Sequence, residues 1–140
     1  MTTEHLEPFF LSVEDILELH SDQLRLYGGT AGIRDGGALD SAVATSAVTF
    51  DDVYLHDDLF QMAAAYAFHI AENQPFLDGN KRTALNAALV FLDINGWLVL
   101  DPDECLCVAM IAISSRELDK QGLAGLLRKL ARPTPESDSE

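Results

Sequence analysis

Apolar side chains recur at three- and four-residue intervals along most of this chain, and the rhythm breaks at clusters of Gly, Pro, Asp and Asn. Ile16, Leu17, His20, Leu24 and Tyr27 share a helical face, Ser12-x-x-Asp15 has the form of a capping box, and Gly28–Gly29 closes the segment. A glycine-rich loop follows, and then a second predicted helix from Ala38 to Val48, whose Ala42, Ala44 and Ala47 permit close packing. Asp57–Asp58 introduces a third, LFQMAAAYAFHIAEN, which stops near Pro75. Proline disfavours helical geometry in the residue before it, so Gln74 is expected to be extended and outside the helix. A fourth helix is expected from about Gly79 to Asn95–Gly96, and its middle, TALNAALVFLDI, is apolar on nearly every side, the mark of a buried central helix. WLVLDP reads as an extended connector or half of a small hairpin. Two further helices are predicted, about Asp103 to Ser114 and about Lys120 to Ala131, the second capped by Asp119. ARPTPESDSE has no apolar periodicity and is expected to be disordered.

With no internal repeat and 140 residues, enough for one real core, the expected fold is an all-α, compact single-domain bundle of about six helices. Its bounds are residues 1–132, with 133–140 as a disordered acidic tail. Alanine and leucine are prominent and aromatics make up only 8%, which suits helices better than a β-sandwich. No apolar run is long enough for a bilayer, and MTTEHLEPFF lacks a basic n-region, so the expected location is the cytoplasm. Cys105 and Cys107 would point roughly 200° apart on a helix, too divergent to bridge or share a metal. They are expected to be reduced thiols, at least one of them packed.

Charge sharpens the picture. Nine basic residues against 23 acidic ones give a formal net charge of −14, which argues against direct nucleic-acid or membrane binding. Between Arg34 and Arg116 the only basic residues are Lys81 and Arg82, against a dozen acids. They sit side by side just after Asp78–Gly79–Asn80. A helix N-terminus presents unpaired N–H groups and the positive end of the dipole, and glycine lets a ligand approach. Asp78 is expected at the N-cap, Gly79, Asn80 and Lys81 in the first turn, and Phe76–Leu77 as anchors in the core. Lys81 and Arg82 would neutralise phosphate oxygens, Arg82 through a two-pronged contact. The bland alternative makes Asp78 a simple cap and the two cations solvated. Cations at a helix N-terminus oppose the dipole by about 0.3–1 kcal/mol each, and that alternative leaves the choice unexplained. A carboxylate beside phosphate repels it unless a cation intervenes, which points to Mg²⁺ on Asp78.

The stretch QPFLDGNKR followed by TALNAALVFL resembles the signature of the Fic/Doc superfamily, H-x-F-x-[DA]-[AG]-N-K-R, in its Doc (death-on-curing) branch. YGGTAGIRDGGAL, from Tyr27 to Leu39, is similar to another stretch typical of Doc-like proteins, and the likeness spans roughly Val13 to Ala131. The resemblance implies a small α-helical toxin paired with a cognate antitoxin. Fic relatives transfer AMP from ATP to protein hydroxyls; Doc transfers the γ-phosphate to a protein target of the translation machinery, the elongation factor that delivers aminoacyl-tRNA. It implies ATP and Mg²⁺ as cofactors, Asp78 as the metal ligand, and Phe76, Gly79, Asn80, Lys81 and Arg82 around the phosphates. The lysine where Fic enzymes carry glycine favours the kinase-like branch.

In that motif the opening histidine is the general base, and this chain has Gln74 there. Imidazole accepts a proton near neutral pH and an amide does not. Three explanations fit the glutamine: a natural variant whose activity is weakened, different or lost, an engineered substitution that disarms a toxin, or a module that binds nucleotide or a partner such as the antitoxin without catalysis. His69, five residues upstream on the preceding helix, is expected to be packed or at the surface rather than a substitute base. His20 reads as a structural polar residue on an apolar face. His5 and His56 follow no pattern, and nothing in the spacing requires Tyr54 or Asp57 to reach the site. Arg34 and Asp35, with Gly28 and Gly29, are candidates for target docking by family comparison. Their plain reading is a glycine-rich turn with a local Arg–Asp ion pair.

Overall fold

The computed structural model describes residues 7–135. Its order is α1 (Val13–Tyr27), α2 (Gly36–Ala44) with a 3₁₀ turn at Thr45–Ala47, a hairpin of β1 (Thr49–Phe50) and β2 (Val53–Tyr54), α3 (Leu59–Asn73), α4 (Asn80–Ile94), β3 (Trp97–Val99), α5 (Cys105–Ser114), α6 (Lys120–Leu130) and β4 (Ala131–Pro133). The all-α bundle of six helices is therefore present among the described residues, with only short strand pairs added.

Four helices, α1, α2, α3 and α6, begin where a carboxylate or hydroxyl meets their first free N–H groups. Ser12 Oγ accepts from Asp15 N while Asp15 returns a bond to Ser12 N, the full capping box. Asp58 caps α3 through Gln61 N, and Asp119 caps α6 through Gly122 N. Such caps are each worth about 1 kcal/mol. At α5 the expected start moves two residues on, to Cys105, because Asp101 reaches forward and accepts from the N–H groups of both Cys105 and Leu106. The predicted α2 also shortens: its last residues tighten into the 3₁₀ turn, and Val48 leaves in extended geometry.

The core is built on α3 rather than on α4. Nine residues of α3 are buried, and its contact with α4 is the most extensive in the molecule. Ala63, Ala64, Ala67 and Ala71 on one helix and Ala84, Ala87 and Ala88 on the other are small enough for the backbones to approach closely. Helix α4 buries six residues but leaves Lys81, Arg82, Asp93 and Ile94 exposed, so it lines the surface at both ends. Tyr66 is fully buried; its hydroxyl accepts from Leu11 N at 2.8 Å, and burial raises its pKa to about 12.

Two strand pairs depart from expectation. Asp51 and Asp52 take positive φ, 53° and 65°, and form the hairpin turn between β1 and β2. Ala131–Pro133, expected to open a disordered tail, instead pairs antiparallel with Trp97–Val99. Pro133 is accommodated at the end of this two-stranded edge, where its missing N–H costs nothing. The remainder of the expected tail, residues 136–140, lies outside the described residues. Both ends of the described chain meet the turn after α4. Phe9 N and O bond the side chain of Asn95 at 2.9 and 3.0 Å, and Thr134 N donates to Gly96 O at 2.8 Å.

Candidate functional site

The motif loop bridges α3 and α4. Gln74 ends α3 outside the helix as expected, but in left-handed rather than extended geometry, at φ 47° and ψ 59°. The proline that follows disfavours the right-handed region, and the left-handed turn lets Gln74 N donate to Ile70 O at 3.0 Å as a helix-ending bond. Arg34 then grips the frayed end: Nε donates to Gln74 O at 2.6 Å and Nη2 to Asn73 O at 2.7 Å. The expected Arg34–Asp35 ion pair does not form. Asp35 instead caps α2 through Ala38 N, so the neighbours serve two different helix ends. The C-terminal carbonyls of α3 lie close in space to Arg34 while being far from it in sequence.

The glycine-rich loop is a brace for the motif loop. Ile33 and Phe76 form an antiparallel bridge, Arg34 N donates to Pro75 O, Leu77 N donates to Gly32 O, and Thr30 N donates to Asp78 Oδ2 at 3.2 Å. Close approach explains the glycine at 29. Its φ is +126°, and a Cβ there would stand 2.9 Å from Asp78 Oδ2 and 3.0 Å from Leu24 Cδ2. Phe76 is the core anchor, 1% exposed and stacked face to face on His20 with 3.7 Å between centroids. Leu77 is no such anchor; it is exposed and packs against Gly32. His20 is buried, and its Nε2 lies 2.8 Å from Asp78 O. A carbonyl only accepts, so this nitrogen carries the proton. The structural role expected of His20 is thus to hold the loop from below.

Helix α4 begins one residue later than expected. Gly79 occupies the N-cap at φ 77°, with no side-chain cap bond, in place of Asp78. Asp78 turns its carboxylate back to receive its own neighbour's Gly79 N at 2.9 Å and Thr30 N. Asn80 is likewise turned inward, its amide closing a two-bond ring with Phe76 N and O, each at 3.0 Å. The first helical hydrogen bond is Thr83 N to Gly79 O, so the N–H groups of Asn80, Lys81 and Arg82 precede the ladder and lack carbonyl partners within the helix.

These groups open onto a cavity of about 440 Å³ lined by Gln74, Leu77, Asp78, Gly79, Asn80, Lys81 and Arg82, with Ala71, Leu85, Cys107, Met110 and Ser114 forming the far wall. Lys81 forms no ion pair among the described residues, whereas Arg82 lies 5.2 Å over the Tyr27 ring and reaches Gly28 O only at 3.4 Å. Phe76, placed in the phosphate site by resemblance, lies beneath the cavity and does not line it. The far wall from α5 was not foreseen; Cys107 is exposed there and Cys105 is half-buried, both as free thiols. Tyr54 and Asp57 line a separate cavity with Glu7 and Phe9, and Tyr54 donates to Glu7 at 2.6 Å. His69 points elsewhere too, its Nε2 lying 2.9 Å from Lys120 Nζ. His5 lies outside the described residues.

Residues 10–92 match the Fic/DOC family, well over half of the chain, and the protein belongs to it. Among individual relatives it is 34% identical over 122 residues to the "Protein kinase doc" of Escherichia phage P1, a match covering 86% of this chain and 94% of that one. It is also 42% identical over 87 residues to the "Toxin Doc" of Mycolicibacterium smegmatis, covering 62% of this chain and 65% of the relative. Among the described residues no helix is long and apolar enough to cross a membrane.

Proposed function

We propose that this protein is a Doc-type toxin that binds Mg²⁺–ATP in the cleft at the start of α4 and directs phosphate transfer to a hydroxyl of a protein target, by resemblance a translation elongation factor. The observation that carries the reading is the uncapped helix end: three free N–H groups and Lys81 facing one 440 Å³ cavity. That arrangement suits a phosphate chain. The donor set suits magnesium, which takes one carboxylate plus phosphate oxygens and waters. Asp78 supplies that carboxylate in fixed orientation, and among the described residues there is no cage of three or more acidic, His or Cys side chains. Bound there, the metal would neutralise charge building on the phosphates.

Gln74 stands at the cleft rim, exposed, where the family motif has histidine. It orients a hydroxyl by hydrogen bonding but does not take its proton at neutral pH. General base catalysis is typically worth about 10²–10⁴-fold, so turnover is expected to be slow rather than nil. Phosphoryl transfer leans mainly on positioning and charge, which the nest supplies. AMP transfer is the enzymatic alternative, and a binding module for nucleotide or antitoxin the non-enzymatic one. The partner expected from the relatives' name is a cognate antitoxin. Failure to form a complex with the product of the adjacent reading frame would count against it.

The test uses ATP labelled separately at the α- and γ-phosphate, with Mg²⁺ and bacterial lysate, comparing the protein with its Gln74→His variant. Label from the γ-position, stronger with histidine, supports the kinase reading; α-label would redirect it to AMP transfer. No label from either, with nucleotide still bound, would leave only the binding module. Asp78→Ala and Lys81→Ala should abolish nucleotide binding, and unchanged affinity in both would remove the site.

A further inference from the structure

Away from the cleft, three basic side chains from distant parts of the chain meet at one point. His56 precedes α3, His69 lies in its last turns, and Lys120 opens α6. Lys120 Nζ lies 3.1 Å from His56 Nε2 and 2.9 Å from His69 Nε2. An ammonium has only donors, so both imidazoles accept through Nε2 and carry their proton on Nδ1. Two ring lone pairs are therefore aimed at a single position held by a cationic nitrogen. Phe68 faces the same nitrogen at 5.9 Å from its ring centroid.

We infer that His56 and His69 form a binding site for a borderline divalent transition metal of the Zn²⁺ class, in which Lys120 is a built-in occupant that the metal displaces. Neutral imidazole suits such ions, at about 2.0–2.1 Å from the metal. Each ring need close in by only about 1 Å on the place where Nζ now sits. Two features ease the exchange. Lys120 is the first residue of α6, where its charge opposes the helix dipole. Beside it a cavity of about 260 Å³, lined by Leu55, His56, Gln61, Lys120, Gln121 and Ala124, has room for metal-bound water and for the lysine stem to swing out. Two protein ligands with water completing the shell predict modest affinity, limited by the lysine.

The probe is Zn²⁺, titrated against the full chain in competition with a chromophoric chelator, with Co²⁺ absorption as a second reading of nitrogen ligation. Lys120→Met should bind one Zn²⁺ at least about tenfold more tightly than wild type, because the competitor that holds the site in its unavailable state is gone. His56→Gln and His69→Gln, each placed in the Lys120→Met background, should both lose that gain. Circular dichroism of the metal-free variants establishes folding; if Lys120→Met fails to fold, Lys120→Gln replaces it. Equal affinity in wild type and the lysine variant, or zinc binding that survives loss of either histidine, would overturn the site.

Discussion

Replacing Arg34 by alanine tests whether the glycine-rich loop serves a target or the fold. The guanidinium donates to Gln74 O at 2.6 Å and Asn73 O at 2.7 Å. Hydrogen bonds to a charged group contribute about 1.5–3 kcal/mol each when shielded. Arg34 is exposed, so water replaces part of that, and about 1.5–3 kcal/mol for the pair is the fair figure. Loss of a cation from the C-terminal end of α3 adds about 0.3–1 kcal/mol. The total, about 2–4 kcal/mol, corresponds to a fall in melting temperature of about 7–14 °C for a chain of this size. The left-handed Gln74 would relax with it, so nucleotide affinity in the adjoining cleft should drop as well. Thermal and urea melts of Arg34→Ala and Arg34→Lys check this; lysine lacks the two-pronged fork and should fall between. A variant with unchanged melting and nucleotide binding that loses only target modification would refute the clamp and restore the docking role.

Gly29→Ala combines a φ of +126° with a Cβ 2.9 Å from the Asp78 carboxylate; strain of about 1–3 kcal/mol and weaker Mg²⁺-dependent nucleotide binding are expected, and wild-type behaviour in both would show that the loop yields freely. Phe76→Ala removes the buried ring that stacks on His20 and should cost about 3–5 kcal/mol in urea unfolding; a loss below 1 kcal/mol would mean that the loop is held by its backbone bonds alone. Burial, then the Lys120 charge, lowers the pKa of His69 to about 4, and His56 is lowered for the same leading reason. Their neutral forms favour the fold, so the contribution is complete above pH 6.5 and falls away as the pH drops toward 4. His69→Gln should therefore flatten the decline in urea stability between pH 7 and 4.5, and an unaltered slope would remove His69 as its source.

The helices were legible because their signals are local. Ser12, Asp58 and Asp119 stand one residue before a helix, and Pro75 stands just beyond Gln74, so a short window of sequence contains the cause. The core anchor Phe76 and the cation pair after a glycine were legible for the same reason. What escaped is non-local. Arg34 sits beside Asp35 in sequence, yet its partners are carbonyls some forty residues on. The Ala131–Pro133 strand has no pattern of its own and exists because Trp97–Val99 offers an open edge. The shift of the N-cap from Asp78 to Gly79 follows from Thr30 capturing the carboxylate, a contact no periodicity encodes. Nor does spacing disclose that His56, His69 and Lys120 converge.

The turn at Asn95–Gly96 has a practical consequence. Phe9 and Thr134 are both fastened to it, while the cleft lies at the other end of α4, a helix of 15 residues and so about 22 Å long. Phe9 and Thr134, through which an affinity tag, a surface linker or a fluorescent reporter on either terminus would join the described fold, both lie at the pole remote from the proposed nucleotide cleft. The molecule can thus be tethered at this pole with the proposed cleft turned outward, and joining Phe9 to Thr134 by a short linker would leave a new opening to be cut in the Asp51–Asp52 hairpin turn.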